Sequence, residues 1–330
     1  LNRWNLCKRN DSVYLFNGAY WKQIERDTLK AFLGEAAARM GVPAADAAYY
    51  RNRDEYLNQF FTAAHLPEPQ RRPDCVLINL QNGTLEIKPD GWNLRAPDAA
   101  DFLTYQLPFA YQPTAATPTF AAYLDTVLPD EGLRGVLAEY LGYVFTRHLK
   151  LEKALFCYGT GANGKSVLFE IVNALLGPEN VTSLSLSHLR EEYNRAELSD
   201  KLLSYSSELD GGKLETALFK QLISGEPIQA RRKYGHPFTL TDYAKLAFNA
   251  NELPRDAEHS EAFFRRFLIV PFAVTIPTEQ RDATLAGRII THELPGVFNW
   301  VLQGLRRLLA ANGFTPCLAV SEALNAYKLE

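Results

Sequence analysis

Methionine and cysteine are scarce in this chain, and long apolar runs are missing altogether. Methionine occurs once in 330 residues, at Met40, and residue 1 is a leucine, so the sequence is expected to be a piece of something longer. The four cysteines, Cys7, Cys75, Cys157 and Cys317, form no Cys-x-x-Cys pair and have no histidine companions nearby. That spacing excludes a zinc ribbon and a disulfide framework. Unpaired thiols in a chain of this size point to a reducing compartment such as cytoplasm. No apolar run is long enough to span a membrane, and no secretory pattern opens the chain. Charge of one sign is not in excess either: 35 Lys and Arg against 38 Asp and Glu leave a net charge of -3. Any nucleic-acid surface must then be a local concentration of cations. Internal repeats and low-complexity tracts are also absent.

What is present is a globular composition, with 47% hydrophobic and 22% charged residues. The length exceeds one ordinary core, so two domains are expected. Residues 1 to about 125 carry mixed signals. Ser12 to Trp21 reads as two strands around Asn17-Gly18, and Val76 to Ile87 as a second hairpin around Gln81-Asn82-Gly83. Thr28 to Met40 reads as a helix with Leu29, Phe32, Leu33 and Ala36 on its apolar face. Pro108 to Pro118 reads as a linker, and Phe120 to His148 as one helical stretch. Beyond it, apolar strands at Leu155–Tyr158, Leu202–Ser206, Ala244–Phe248 and Phe267–Val270 alternate with helices. This predicts an α/β core with a parallel sheet. Residues 285 to 311 read as helix interrupted at Pro295-Gly296.

The stretch Gly159-Thr160-Gly161-Ala162-Asn163-Gly164-Lys165-Ser166 fits G-x-x-x-x-G-K-S, with an apolar strand before it and a helix over Lys165–Leu176 after it. Glycines let such a backbone curl so that its N–H groups point at phosphate oxygens. The following helix adds its positive N-terminal end. Lys165 can reach terminal phosphates, and the Ser166 hydroxyl can hold Mg²⁺. The loop predicts a binder of ATP or GTP without separating motors from kinases or switches. Mg²⁺ and an attacking water call for a carboxylate at the end of a neighbouring strand. Glu208 ends the strand Leu202–Ser206 in that manner, with Asp210 two residues on.

Five segments in this order resemble superfamily 3 helicases, and within them the primase-helicases of phages, plasmids and poxviruses. They are Gly159–Ser166, Ser207-Glu208-Leu209, Leu218–Arg231, Lys245–Pro254 and Phe264–Phe272. Ile78–Gly83 and the Pro-rich stretch after it resemble the helicase-associated region before that core. The resemblance implies an AAA+-like P-loop ATPase core over 126–284. It also implies a smaller mixed α+β N-terminal domain with linker over 1–125 and a C-terminal helical lid segment over 285–330. It makes Glu208 the Walker B carboxylate and Asn251 the polar sensor, with Asn249 the other candidate. It makes Arg266 an arginine finger reaching a neighbouring subunit's ATP, with Arg265 beside it.

Arg231-Arg232-Lys233-Tyr234-Gly235-His236 is the densest basic cluster that includes an aromatic, and Tyr234–Pro237 suits a turn. In the family a hairpin at this place grips single-stranded DNA. The resemblance therefore implies DNA contacts from Arg232, Lys233, Tyr234 and His236. The expected protein is an ATP-dependent DNA helicase, loaded with ATP and Mg²⁺, in the cytoplasm of a bacterial or phage-infected cell. It would work as a ring, a hexamer by resemblance, during replication of a phage, plasmid or mobile element. Two other readings stand beside it. One is a P-loop kinase or switch; the other is an ATP-dependent loading module that recruits a primase or polymerase without unwinding.

Overall fold

The computed structural model describes residues 5–9, 12–63, 75–88, 91–147, 149–207, 215–233, 235–254 and 260–329. They form two compact units, Leu1–Arg72 with Arg95–Gln106, and Pro73–Leu94 with Leu107–Glu330.

The first unit holds an antiparallel sheet of β1 (Leu6–Arg9), β2 (Ser12–Phe16) and β3 (Trp21–Ile24). The expected turn at Asn17 is present: its side-chain oxygen accepts from the backbone N–H of Ala19 and Tyr20 at 3.0 and 2.9 Å. Alternation sends successive β2 side chains to opposite faces. Tyr14 joins Cys7, Trp21 and Phe102 on one face. Val13 meets Leu29 and Leu57 on the other, from α1 (Arg26–Arg39) and α3 (Tyr50–Ala63), which flank the short α2 (Ala44–Ala48). Phe32 departs from the expected apolar face and is 57% exposed. The buried stripe of α1 is narrow, running through Leu29 to the half-buried Leu33 one turn on.

The second unit opens with the sheet β4 (Val76–Leu80), β5 (Gly83–Lys88) and β6 (Gly91–Arg95). Leu80 pairs with Gly83, leaving Gln81-Asn82 as the two-residue turn. The single helix expected over 120–148 is in fact two, α4 (Pro118–Val127) and α5 (Glu131–Tyr143). Pro129 disfavours helical backbone at Leu128, and Asp130 caps α5 by accepting from Leu133 N at 2.9 Å. His148 lies outside the described residues.

The core sheet comprises β7 (Ala154–Tyr158), β8 (Val181–Thr182), β9 (Leu203–Ser206), β12 (Lys245–Ala250) and β13 (Phe267–Pro271), all parallel, in the order β13-β7-β12-β9-β8. Between them run α6 (Lys165–Leu176), α7 (Glu192–Arg195), α8 (Thr216–Ser224), the strands β10 (Ile228–Arg231) and β11 (Pro237–Leu240), and α9 (Glu261–Phe264). Phe156 on β7 stacks on Phe267 at 4.5 Å and on Phe248 at 5.2 Å. One aromatic layer thus ties β13, β7 and β12 together.

Three helices follow: α10 (Leu285–His292), α11 (Leu294–Ala311) and α12 (Leu318–Leu329). Pro295 sits in the first turn of α11, where its missing N–H costs nothing. α11 lies against α5 so closely that a Cβ on Gly304 would stand 2.3 Å from the Ala138 carbonyl carbon, and one on Gly142 2.7 Å from Leu305 Cα. Those neighbours are backbone and cannot rotate away. Gly304→Ala is therefore expected to destabilise the unit by about 3 kcal/mol despite alanine's better helix propensity. Gly287→Ala on α10, where a Cβ would meet nothing within 4 Å, is expected to gain up to about 1 kcal/mol. Urea midpoints measure both, and matching midpoints would refute the close-approach argument.

Candidate functional site

Parallel strands bring their C-terminal ends to one edge, which is where ligands bind in open α/β sheets. The loop Gly159–Ser166 leaves β7 at that edge, and Asn251 follows the end of β12 there. β9 ends at Ser206 on the same edge; Glu208 and Asp210 lie outside the described residues. The strand leading to Glu208 is not adjacent to the loop's strand, because β12 runs between them. The end of β12 is thus interposed between the loop and the end of β9, an arrangement that motif order along the chain does not reveal.

The loop is held by its carbonyls. Lys165 Nζ donates to Gly159 O at 2.5 Å, and Asn163 Nδ2 to Thr160 O at 2.5 Å. Ile276 N donates to Ala162 O at 2.8 Å, and the Tyr123 hydroxyl to Gly164 O at 2.9 Å. Asn163 also donates to Phe272 O at 3.1 Å, while its side-chain oxygen accepts from Lys165. Among the described residues, the N–H groups of Gly161, Ala162, Asn163 and Gly164 find no acceptor in the protein. Carbonyls turned into the protein and amides left over at a helix start make an anion cradle.

The two outer glycines are required by space. A Cβ on Gly159 would lie 2.4 Å from Phe272 O, and one on Gly164 2.7 Å from Val127 Cγ1. Gly164 also stands at φ +88°. Ser166 is exposed in the first turn of α6. Lys165 is buried, and burial pushes its pKa below the ordinary lysine value, with the Cys157 thiol acting in the opposite direction. These features fit a phosphate chain, and a hydroxyl in that first turn is a suitable hard donor for Mg²⁺.

Beneath the loop, the Tyr205 hydroxyl donates to Asn249 Oδ1 at 2.8 Å and lies 3.7 Å from Cys157 Sγ. Asn249 pairs in register with Cys157 and is buried. Burial pushes the Cys157 thiol up to about 12, so it is an inert packing thiol. Asn251 is exposed, and its side chain has no partner among the described residues.

Arg265 and Arg266 stand at the opposite edge, before β13. Arg266 is buried: Nη2 donates to Ser224 Oγ at 2.8 Å and lies 3.3 Å from Glu152 Oε2, and Nη1 donates to Ala262 O. Arg265 reaches the same Glu152 oxygen at 2.8 Å, with its side chain 55% exposed. The sequence therefore places the pair together, but only the structure separates an inner from an outer guanidinium.

The basic cluster is a hairpin: β10 pairs with β11, with Arg231 opposite Pro237. Lys233 and His236 are exposed at its turn, and Tyr234 lies outside the described residues. Arg231 lies over the Tyr193 ring and Arg232 over the Phe238 ring, along the flanks. Sequence reasoning missed Tyr123 and Ile276 as supports of the loop. They come from other elements, and no motif marks them.

A family model described as D5 N terminal like matches residues 1–129, and one described as a family of unknown function matches 157–266. A protein of Acanthamoeba polyphaga mimivirus, provisionally named a helicase, is 24% identical over 277 residues, which cover 80% of this chain and 26% of the relative. One of Invertebrate iridescent virus 3, also provisionally named a helicase, is 24% identical over 214 residues, covering 60% and 22%. The chain thus spans about a quarter of the length of these curated relatives. The apo C-terminal region of NrS-1 shares the fold, with a TM-score of 0.58 at 13% identity, over 96% of this chain and 69% of that one. These likenesses support a relationship to the phage and viral primase-helicases of the superfamily 3 type.

Proposed function

We propose that this chain is the ATP-hydrolysing core of a DNA helicase that moves along single-stranded DNA as a hexameric ring during replication of a phage, plasmid or mobile element. The observation that supports this best is the loop, with its carbonyls tied inward and its amides at 161–164 left for an anion. In this reading the sheet is AAA+-like, and ATP lays its phosphates on Gly159–Ser166. Lys165 meets the terminal phosphates, while Ser166 and Glu208 hold Mg²⁺. When bound, Mg²⁺ neutralises charge on the phosphate oxygens. Asn251, exposed beside the loop at the end of β12, orients the attacking water. Asn249, already bound by Tyr205, keeps β12 in place.

The finger belongs to the Arg265–Arg266 pair, and the exposed Arg265 is the arm that reaches a neighbour's ATP. Arg266 anchors it from inside. A finger lying at the edge opposite its own loop cannot serve its own ATP, so turnover requires a neighbour. Lys233 and His236, exposed at the hairpin turn, contact the strand, and so do Arg232 and Tyr234. Several copies converging on one channel focus a local positive field in a chain whose net charge is -3. Residues 1–125 are the helicase-associated domain and 285–330 the lid, and a primase or polymerase is a partner.

ATP turnover measured with and without single-stranded DNA tests the reading. DNA is expected to stimulate turnover, and mixing Lys165→Ala with Arg265→Ala protein is expected to restore part of it. No DNA response together with no rescue would sink the motor. A strand-displacement assay then separates a motor from a loader. Lys233→Ala combined with His236→Ala is expected to weaken single-strand affinity by about tenfold and to flatten its salt dependence by about 0.7 per lost phosphate contact. An unchanged salt slope would take the hairpin out of the interface.

A further inference from the structure

A second group of cations lies at the other edge of the parallel strands. A cavity of about 50 Å³ is bordered there by Arg147, Lys150, Lys153, Lys201 and Lys245, with Asp242 the one carboxylate on its wall among the described residues. One ordered water needs only about 10–15 Å³, so the space accepts a larger polar group. Lys153, Lys201 and Lys245 stand at or just before the starts of β7, β9 and β12, whereas the loop leaves the far end of β7. Five residues of strand put the two edges roughly 15 Å apart. The cavity is therefore separate from the loop.

The charges there do not cancel. Asp242 is held by Arg147 at 2.8 Å. Three of the lysines are satisfied by neutral carbonyls: Lys150 Nζ by Gly225 O at 3.2 Å, Lys153 Nζ by Arg265 O at 2.5 Å, and Lys201 Nζ by Glu179 O. The Lys245 ammonium has neither hydrogen bond nor ion pair among the described residues and rests 4.1 Å from the Tyr143 ring centroid. Burial pushes its pKa down to about 8; Asp242 opposes that shift, while Lys150 and Arg147 add to it. The Lys245 ammonium, with the Lys150 and Arg147 cations acting on it in a partly desolvated space, is costly unless an anion shares that space. Lysines as compact point charges with rotatable donors suit tetrahedral phosphate.

We propose that this cavity is a second phosphate-binding site, taking a phosphate group of a nucleotide or of a single-stranded nucleic-acid backbone. The test uses the full chain carrying Lys165→Ala, which withdraws the loop's ammonium, with inorganic pyrophosphate as the probe. Calorimetry is expected to find one pyrophosphate still bound per chain, and thermal unfolding to shift upward with it. Adding Lys245→Met is expected to weaken that binding by about tenfold or more and to shrink the thermal shift. In anion-free buffer the same substitution is expected to leave Tm level or higher, because an uncompensated charge has left a buried place. Lys245→Arg is expected to recover binding. Should Lys245→Met not fold, Lys150→Met at an exposed position carries the same expectation. Competition by ADP alone assigns the phosphate to a nucleotide, and competition by an oligothymidylate alone assigns it to a backbone. No pyrophosphate binding in the Lys165→Ala chain, or binding that Lys245→Met leaves unchanged, overturns the proposal.

Discussion

Lys165→Ala is expected to cut ATP turnover by about a hundred- to a thousandfold while the chain still folds, the scale of losing one preorganised electrostatic contact to a charge that grows in the transition state. The ammonium sits inside the loop, bound to Gly159 O and Asn163 Oδ1. Its removal leaves the other supports in place: Asn163 to Thr160 and Phe272, Ile276 to Ala162, and Tyr123 to Gly164. Folding should therefore survive the change, the more so because burial already disfavours that charge. Steady-state turnover with single-stranded DNA, set beside a thermal melt, measures both halves. Turnover at the parent's rate in the substituted chain would remove the loop from the chemistry.

The adjacent arginines are expected to fail in opposite ways. Arg266→Ala strips a buried guanidinium from Glu152 and Ser224, and breaking a buried pair from one side costs about 3–5 kcal/mol. Its activity should fall with its stability. Arg265→Ala removes an exposed partner of Glu152, a contact worth about 0–1 kcal/mol at a surface. Its fold should be untouched while turnover drops by about a thousandfold, the scale of a missing finger. Denaturation midpoints together with turnover in mixtures with Lys165→Ala separate the two residues. A stable Arg266→Ala chain that the mixture rescues, beside a fully active Arg265→Ala chain, would reverse the assignment.

The parts of this molecule that were legible in the sequence are those written in local chemistry. The loop, its strand and its helix announce themselves in eight consecutive residues, and the hairpin in a basic run broken by Gly235 and Pro237. The resemblance put Arg266 ahead of Arg265 as the finger; the reverse order proposed above rests on their burial, which depends on Glu152 and Ser224, far away in the chain. The single helix expected over 120–148 overlooked what Pro129 does to Leu128. β1 and β6 escaped because each is short and unmarked by a strong period. Strand order was illegible for a deeper reason: apolar strands look alike, and nothing in Lys245–Ala250 says that it inserts between β7 and β9. The support from Tyr123 was hidden in the same way.

That strand order has a consequence in time. Of the core sheet's strands, only the pairs β8–β9 and β9–β12 follow one another along the chain and also lie side by side. β7 must wait for residues 245–250 and 267–271 before either of its sides is paired. During synthesis the loop therefore leaves the ribosome long before the scaffold that shapes it, trailing an apolar segment with two bare edges. The edge that carries the loop is among the last pieces of the core to be completed. A chain cut short before Phe267 would carry every letter of the loop yet lack β13 and the holds from Phe272 and Ile276.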